Sequence, residues 1–451
     1  MIDDPTLIAL RFGTGLPAPE GAPHSSAAML ARLAGPDHAA ARWPVAGIAD
    51  AAPLTLEVVE ARADKTDSPA TALRRKAADR AVGAQALAGQ RATLARMLGS
   101  DDPFRERLVR FWADHFTAEA RAARERAFPA AMVEDAIRPH VAGPFAAMLR
   151  AVTLHPAMLS YLDQSRSVGP GSVTGLRKGT GLNENLAREV LELHTLGVGG
   201  PYAQSDVRSL GALLTGLAQD RDGSFAFRPE MAEPGAETVL GRTYGGEALA
   251  PILQALDDLA RHPATARHVS RKLAVHFVAD TPDEGLIAAL SQAFEGAGGD
   301  LAAVYAALLA HPAAWAPQAA KIRQPDEFVV AALRGLGVAA DDLMTLGQGL
   351  FRRLIDAPMA AMGRPWGRPG SPAGFAESAE AWITPQGLAA RIRWAMEVPA
   401  ALRPDLPLPV DVAQATLGPR AGTRLLWAAA RAENRAEGVG LVLSSAEFNR
   451  R

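Results

Sequence analysis

The sequence predicts an all-α, multi-helical globular protein with long Gly/Pro-rich loops and room for one short β-hairpin. Two observations carry that expectation. Alanine, the strongest helix former, is abundant, while β-branched residues are thin outside short runs. Helix-start signals also recur. Asp101-Asp102-Pro103 offers a cap followed by proline at the first helical position, and His-Pro-Ala occurs at His155, His262 and His311. The gaps between those three are unequal, so they read as helix starts and not as a solenoid repeat.

At 451 residues the chain exceeds one simple core and suits two or three lobes. We expect a wrapping segment and long helix over 1–100, a central helical core over 101–330 and a helical lobe over 331–451. Charged residues at 21% and hydrophobic ones at 48% place it among folded globular chains. Net charge is -2 and the two signs alternate finely, which gives no electrostatic footprint for nucleic acid or an anionic membrane. The absence of cysteine removes disulfides, thiolate nucleophiles, iron–sulfur clusters and thiolate zinc sites. No window approaches roughly 18 uninterrupted apolar residues, so no membrane span is expected. Met1 to Leu10 carries Asp3, Asp4 and Pro5 with no basic run ahead of an apolar one, so no secretory signal is read and a cytoplasmic location follows.

In chain order, a short helix is expected near Ser26 to Leu33, then a long charged one from Leu54 to Leu98 with Arg74, Arg75 and Lys76 on a solvated face. On the helix Phe104 to Phe116, the side chains of Phe104, Leu108, Phe111, Trp112 and His115 share one arc. His115 therefore points inward. It reads first as a core histidine with a hydrogen-bond partner and second as a catalytic or ligand residue. Helical signals continue over Val133 to Ala151 and Pro156 to Leu162. The polar run Asp163 to Thr180 resembles an anion-cradling loop only loosely, because its glycines miss the phosphate-loop spacing and no strand precedes it.

The densest polar stretch is Gly181 to Gly197. It predicts a helix from Glu184 to Leu196, with Asn183 as N-cap and Gly197 as the stop. Counting from Glu184, Arg188 falls near about 40°, Glu192 near about 80°, Asn185 near about 100° and Glu189 near about 140°. Leu186, Val190, Leu193 and His194 lie opposite. The string Glu189-x-x-Glu192-x-His194 is therefore no chelating face. A glycine turn and a helix capped by Ser205 complete a hairpin, which places Tyr202, Gln204 and Asp206 where they could meet the Asn183 end. Asp220 to Gly246 reads as a long loop with a strand-like Ser224 to Phe227. On the helix opened by His262-Pro263, His268 and His276 stand eight residues apart. That is about 12 Å of rise, too far for one metal. No metal site and no cofactor are expected. Further helices follow Pro325 and Thr384-Pro385, separated by a Pro/Gly-rich stretch from Pro358 to Pro372.

These motifs resemble the bacterial Domain of Unknown Function 1800 family. The resemblance rests on FWADHF at Phe111 to Phe116, NENLAREVLELHTLGVGGPYAQSDV from Asn183 to Val207 and LTGLA at Leu214 to Ala218. It extends through HPATARHVSRKLAVHFVAD from His262 to Asp280, KIRQPDEFVV from Lys321 to Val330, WITP at Trp382 to Pro385 and the SSAEFNRR tail. It implies an all-helical protein whose relatives are often encoded beside a secreted sulfatase-like or phosphatase-like protein, with a periplasmic location as the alternative to a cytoplasmic one. Two departures stand out. Ala232-Glu233-Pro234-Gly235 replaces a stretch where relatives tend to carry a histidine and an acid, and Leu217 stands where a tryptophan is usual.

Two functions follow. One is a scaffold or accessory protein for that neighbour-encoded partner, with Asn183, Asn185, Arg188, Tyr202 and Gln204 as binding residues. The alternative is a hydrolase of an envelope or extracellular polymer, using Glu184, Glu189 and Glu192 with His115 and Asp206 as general acid and base groups. The missing family histidine favours the first.

Overall fold

The long charged helix expected over Leu54 to Leu98 is two helices in the computed structural model, which describes residues 3–179, 181–245 and 247–451. Met1, Ile2, Thr180 and Gly246, at the ends of segments read above, lie outside the described residues. Helix α1 (Ile48–Ala63) stops at Asp64, and α2 (Pro69–Gly99) starts afresh from Ser68. Ser68 Oγ accepts the Thr71 N–H at 3.1 Å, and Pro69 sits where no amide donor is needed. Arg74, read above as solvated, reaches back to Glu57 at 2.8 Å, and Arg75 donates to the backbone carbonyls of Ala61 and Asp64. The break is thus a tied hairpin.

Helix α3 (Pro103–His115) follows, capped by Asp102, whose carboxylate accepts from Arg105 N–H at 3.1 Å. Its aromatic arc is buried as the periodicity requires. The rest of its circumference, with Arg105, Glu106 and Arg107, is charged and equally buried. Those charges persist inside because each is paired. Arg138 reaches Glu106 at 2.5 Å and Asp37 at 2.6 Å, and Arg105 donates to Asp102 and to the carbonyls that end the Ser26–Ala34 helix.

The central helix differs from its expected form. Only α4 (Asn185–Glu189) is α-helical, and Val190–Thr195 continues it as a π-turn, with Leu196 N–H bonded to the carbonyl of Leu191, five residues back. The N-cap is Glu184, which makes no side-chain cap bond, and not the expected Asn183, which stands one residue earlier and accepts from Asn185 N–H at 2.9 Å through its Oδ1. Helix α5 (Gln204–Leu213) closes the hairpin. Beyond it come two antiparallel strand pairs where one was expected. β1 (Leu217–Gln219) pairs with β2 (Phe225–Phe227), and β3 (Ala236–Val239) pairs with β4 (Arg242–Gly245). The Asp163 to Thr180 loop also contains a short helix, Val173–Lys178, that its glycines obscure.

Helix α6 (Pro263–Phe277) buries Val269, Leu273 and Phe277, and α7 (Pro325–Gly335) is buried on every side from Phe328 to Leu333. Among the described residues two large hydrophobic cores result, beside a small cluster of Val58, Ala61, Ala78 and Val82 between α1 and α2. One gathers residues between Ile8 and Trp315. The other is built around α7 from Trp43, the end of α2 and residues out to Phe448. The His-Pro-Ala segments are helix starts in which the imidazole itself is the cap. Nδ1 of His155, His262 and His311 accepts an N–H two residues on, at 3.1, 3.0 and 3.3 Å.

Where the cores meet, Asp326 and Glu327 in the first turn of α7 are both about 2% exposed. Glu327 Oε1 accepts from Arg107 of α3 at 2.8 Å, and its Oε2 accepts from Arg451 at 3.0 Å. Asp326 accepts two bonds from Arg110, at 2.5 and 2.8 Å, and lies 3.3 Å from Arg364. The tail is held antiparallel to 321–323, with Arg323 N–H on the Asn449 carbonyl at 2.9 Å and Arg451 N–H on the Lys321 carbonyl at 2.9 Å. The SSAEFNRR and KIRQPDE motifs are thus two halves of one buried structure. Removing one partner of such a pair leaves the other charge buried and unpaired, so Glu327→Gln should lower unfolding free energy by about 3–5 kcal/mol. Urea denaturation checks this, with Arg74→Ala at the exposed Glu57 pair as a control that should leave the midpoint unchanged.

Candidate functional site

The π-turn explains why two histidines from distant helices converge on the central one. The last carbonyls of a helix lack intrahelical donors, and here Nε2 of His115 meets the His194 carbonyl at 3.2 Å while Nε2 of His268 meets the Leu193 carbonyl at 3.2 Å. A carbonyl only accepts, so each ring carries its proton on Nε2 and leaves Nδ1 as a bare acceptor. His115 Nδ1 is buried without a partner. Gly197 (φ +90°) allows the approach, because a β-carbon there would stand 2.8 Å from His268 Nδ1. Burial holds all these rings neutral: His194 is lowered to about 3, His268 to about 4, and His115 well below its ordinary value, with Lys272 the next cause in each.

The polar face lies on the other side of the same helix. Arg188 reaches Glu184 at 3.4 Å and Glu192 at 3.2 Å, the i,i+4 ladder that the spacing predicts. Gln204 completes it, donating to Glu184 at 2.8 Å and accepting from Arg188 at 3.0 Å. Burial, then the charge of Glu192, raises the Tyr202 phenol. Glu189 is half-buried, and burial followed by the Glu192 charge raises its carboxyl. Asn185 is exposed. Asp206 faces elsewhere, accepting from the N–H of Ala203 and of Leu240, each at 2.8 Å. The structure thus joins Glu184, Arg188, Glu192 and Gln204 in one network. His115 does not join it. Its neighbours are Phe111, Trp112, Phe116, Phe145, His194 and His268.

Glu233, in the stretch where the expected histidine is absent, accepts from Gly171 N–H at 2.8 Å. The loosely anion-cradling loop is therefore filled by the protein's own carboxylate.

A cavity of about 370 Å³ opens beside His115 and His268. Its walls come from α3 (Phe111, Asp114), from α6 (Lys272, Val275) and from the Ala373–Glu377 loop. That loop is pinned over Asp114, whose Oδ1 accepts from Phe375 N–H at 3.1 Å. Gly374 (φ +83°) is required there, since a β-carbon would collide with the Asp114 carbonyl. His276 Nδ1 donates to Glu377 at 2.6 Å. Burial lowers His276 to about 4 although Glu377 opposes the shift, and the imidazole, with Lys321, holds the Glu377 carboxyl well below the usual range against its own burial. Among the described residues no three His, Asp or Glu side chains converge as a metal-ligand group. Asp114, Lys272, Phe375 and Glu377 were not singled out from the sequence. One signal for Lys272 was present: it stands midway between His268 and His276, four residues from each, on one face of α6.

A family model described as a protein of unknown function (DUF1800) matches residues 19–450, and the chain belongs to that family. No curated protein and no solved structure matches it. No helix among the described residues is long and apolar enough to cross a membrane.

The buried histidines make stability depend on pH with a definite sign. Their folded pKa values lie below the unfolded value of about 6.5, so the unfolded chain binds more protons in between. Stability is full above about pH 6.5 and falls as pH drops toward about 4, by at most about 1.4 kcal/mol per unit for each histidine. His268→Gln keeps a donor for the Leu193 carbonyl but cannot titrate. Urea midpoints at pH 7 and pH 5 should therefore differ less in this variant than in the wild type.

Proposed function

We propose that this family member is an accessory or scaffold protein that binds a sulfatase-like or phosphatase-like protein encoded beside it. The observation that carries this reading is the state of the Asn185–Thr195 helix surface. The carboxylates of Glu184, its N-cap residue, and of Glu192 are already engaged, both by Arg188 and the former also by Gln204, in an open network where these acids are 30% and 24% exposed. Beside it in the chain, Val198 on the glycine turn is 77% exposed. A satisfied polar rim with an exposed apolar residue suits recognition of another protein surface. A general acid–base pair would need at least one unpaired group held near substrate. Asn183 and Asn185 set the start of this surface, and Tyr202 sits at its Glu192 end. A periplasmic location would fit a secreted partner.

A hydrolase is the second reading, favoured by Glu189, whose carboxyl is raised by burial and by Glu192 as a general acid's must be. It ranks lower because His115 is engaged by the His194 carbonyl and Asp206 by two backbone amides. Size-exclusion chromatography of the chain mixed with its neighbour-encoded protein should show a complex. Val198→Asp or Arg188→Glu should weaken it by about tenfold or more. Absence of a complex, together with fragment release from envelope polymer that Glu189→Gln abolishes, would reverse the ranking.

A further inference from the structure

The chain has five lysines, and four are accounted for. Lys65, Lys76 and Lys178 are exposed, and Lys321 is buried against Asp280 at 2.5 Å, with Glu377 at 3.5 Å. Lys272 is the exception. It is half-buried in the wall of the 370 Å³ cavity and, among the described residues, makes no hydrogen bond or ion pair. The cavity's two carboxyl groups are committed elsewhere, Asp114 to Phe375 N–H at 3.1 Å and Glu377 to His276 at 2.6 Å. Both attract Lys272 from a distance, but neither pairs with it. A partly desolvated ammonium left unpaired is costly. Such a cation in a cleft is a candidate for function.

The surroundings narrow the ligand. Phe111, Val275 and Phe375 make the walls apolar. Arg271 at the rim is already bound to Glu284 at 2.9 Å, and the imidazoles of His115 and His268 are neutral with their N–H groups spent on backbone carbonyls. Among the described residues one cation of this wall is therefore free, and Asp114 and Glu377 would repel a multiply charged anion. The cavity is at the small end of the roughly 300–1,000 Å³ range of ligand sites. We infer that this cavity binds a small monocarboxylate with an apolar body, its carboxylate ion-paired to the Lys272 ammonium and its body against Phe111 and Phe375.

The inference does not depend on the accessory role. Calorimetric titration of the full chain with benzoate, phenylacetate and isovalerate tests it, with benzamide and inorganic sulfate as controls. At least one carboxylate should bind saturably at one site, and benzamide should bind at least about tenfold more weakly. Lys272→Arg should stay within a few-fold of the wild type, and Lys272→Met should lose about tenfold or more. Lys272→Met should also melt at an equal or higher temperature, because an unpaired charge gives way to an apolar chain of similar length. Lack of saturable binding by all three carboxylates, equal binding of benzamide, displacement by sulfate, or unchanged affinity in Lys272→Met would each overturn it. A lowered melting temperature in Lys272→Met would do so as well, by making the lysine a structural element.

Discussion

The fold turns on two adjacent carboxylates, Asp326 and Glu327, placed where water cannot reach them. Each must find cations within the protein, and the cations come from distant segments: Arg107 and Arg110 on α3, Arg364 in the loop after the second core's inner helices, and Arg451 on the tail. Such a cluster adds little net stability over an apolar core, since desolvation offsets most of the Coulomb gain. What it imposes is uniqueness. Any arrangement that misplaces one of those segments leaves a charge buried and unpaired. The two hydrophobic cores are non-directional and could slide, so the ionic joint between them sets their relation.

The same logic governs the central helix. A π-turn widens its end and presents carbonyls that no helical amide can reach, and the imidazoles of His115 and His268 supply the missing donors. The histidines must stay neutral to play this part beside Lys272, and burial keeps them so. The two faces of the helix consequently serve different ends. The inward face is consumed by capping, and the outward face of Glu184, Arg188 and Glu192 is left as an internally ion-paired surface. With most interior charges answered, Lys272, unpaired among the described residues, stands out as a group that packing and hydrogen bonding do not explain.

Much of this was legible in the sequence. Alanine content and helix starts determined the all-α class, and periodicity turned the Phe104 to His115 aromatics and His194 inward and set Glu184, Arg188 and Glu192 together, because these depend only on the 3.6-residue repeat. Family membership was legible too, since its motifs are strings of neighbouring residues. Tertiary structure alone decided the rest. The π-turn arises from contacts that favour a wider helix end, which local propensity does not encode. The Glu377–His276 pair and the Asp326–Glu327 cluster join residues 101 to 220 positions apart, the Lys272 cavity likewise draws on distant segments, and a charge in a sequence carries no mark of which distant charge will answer it.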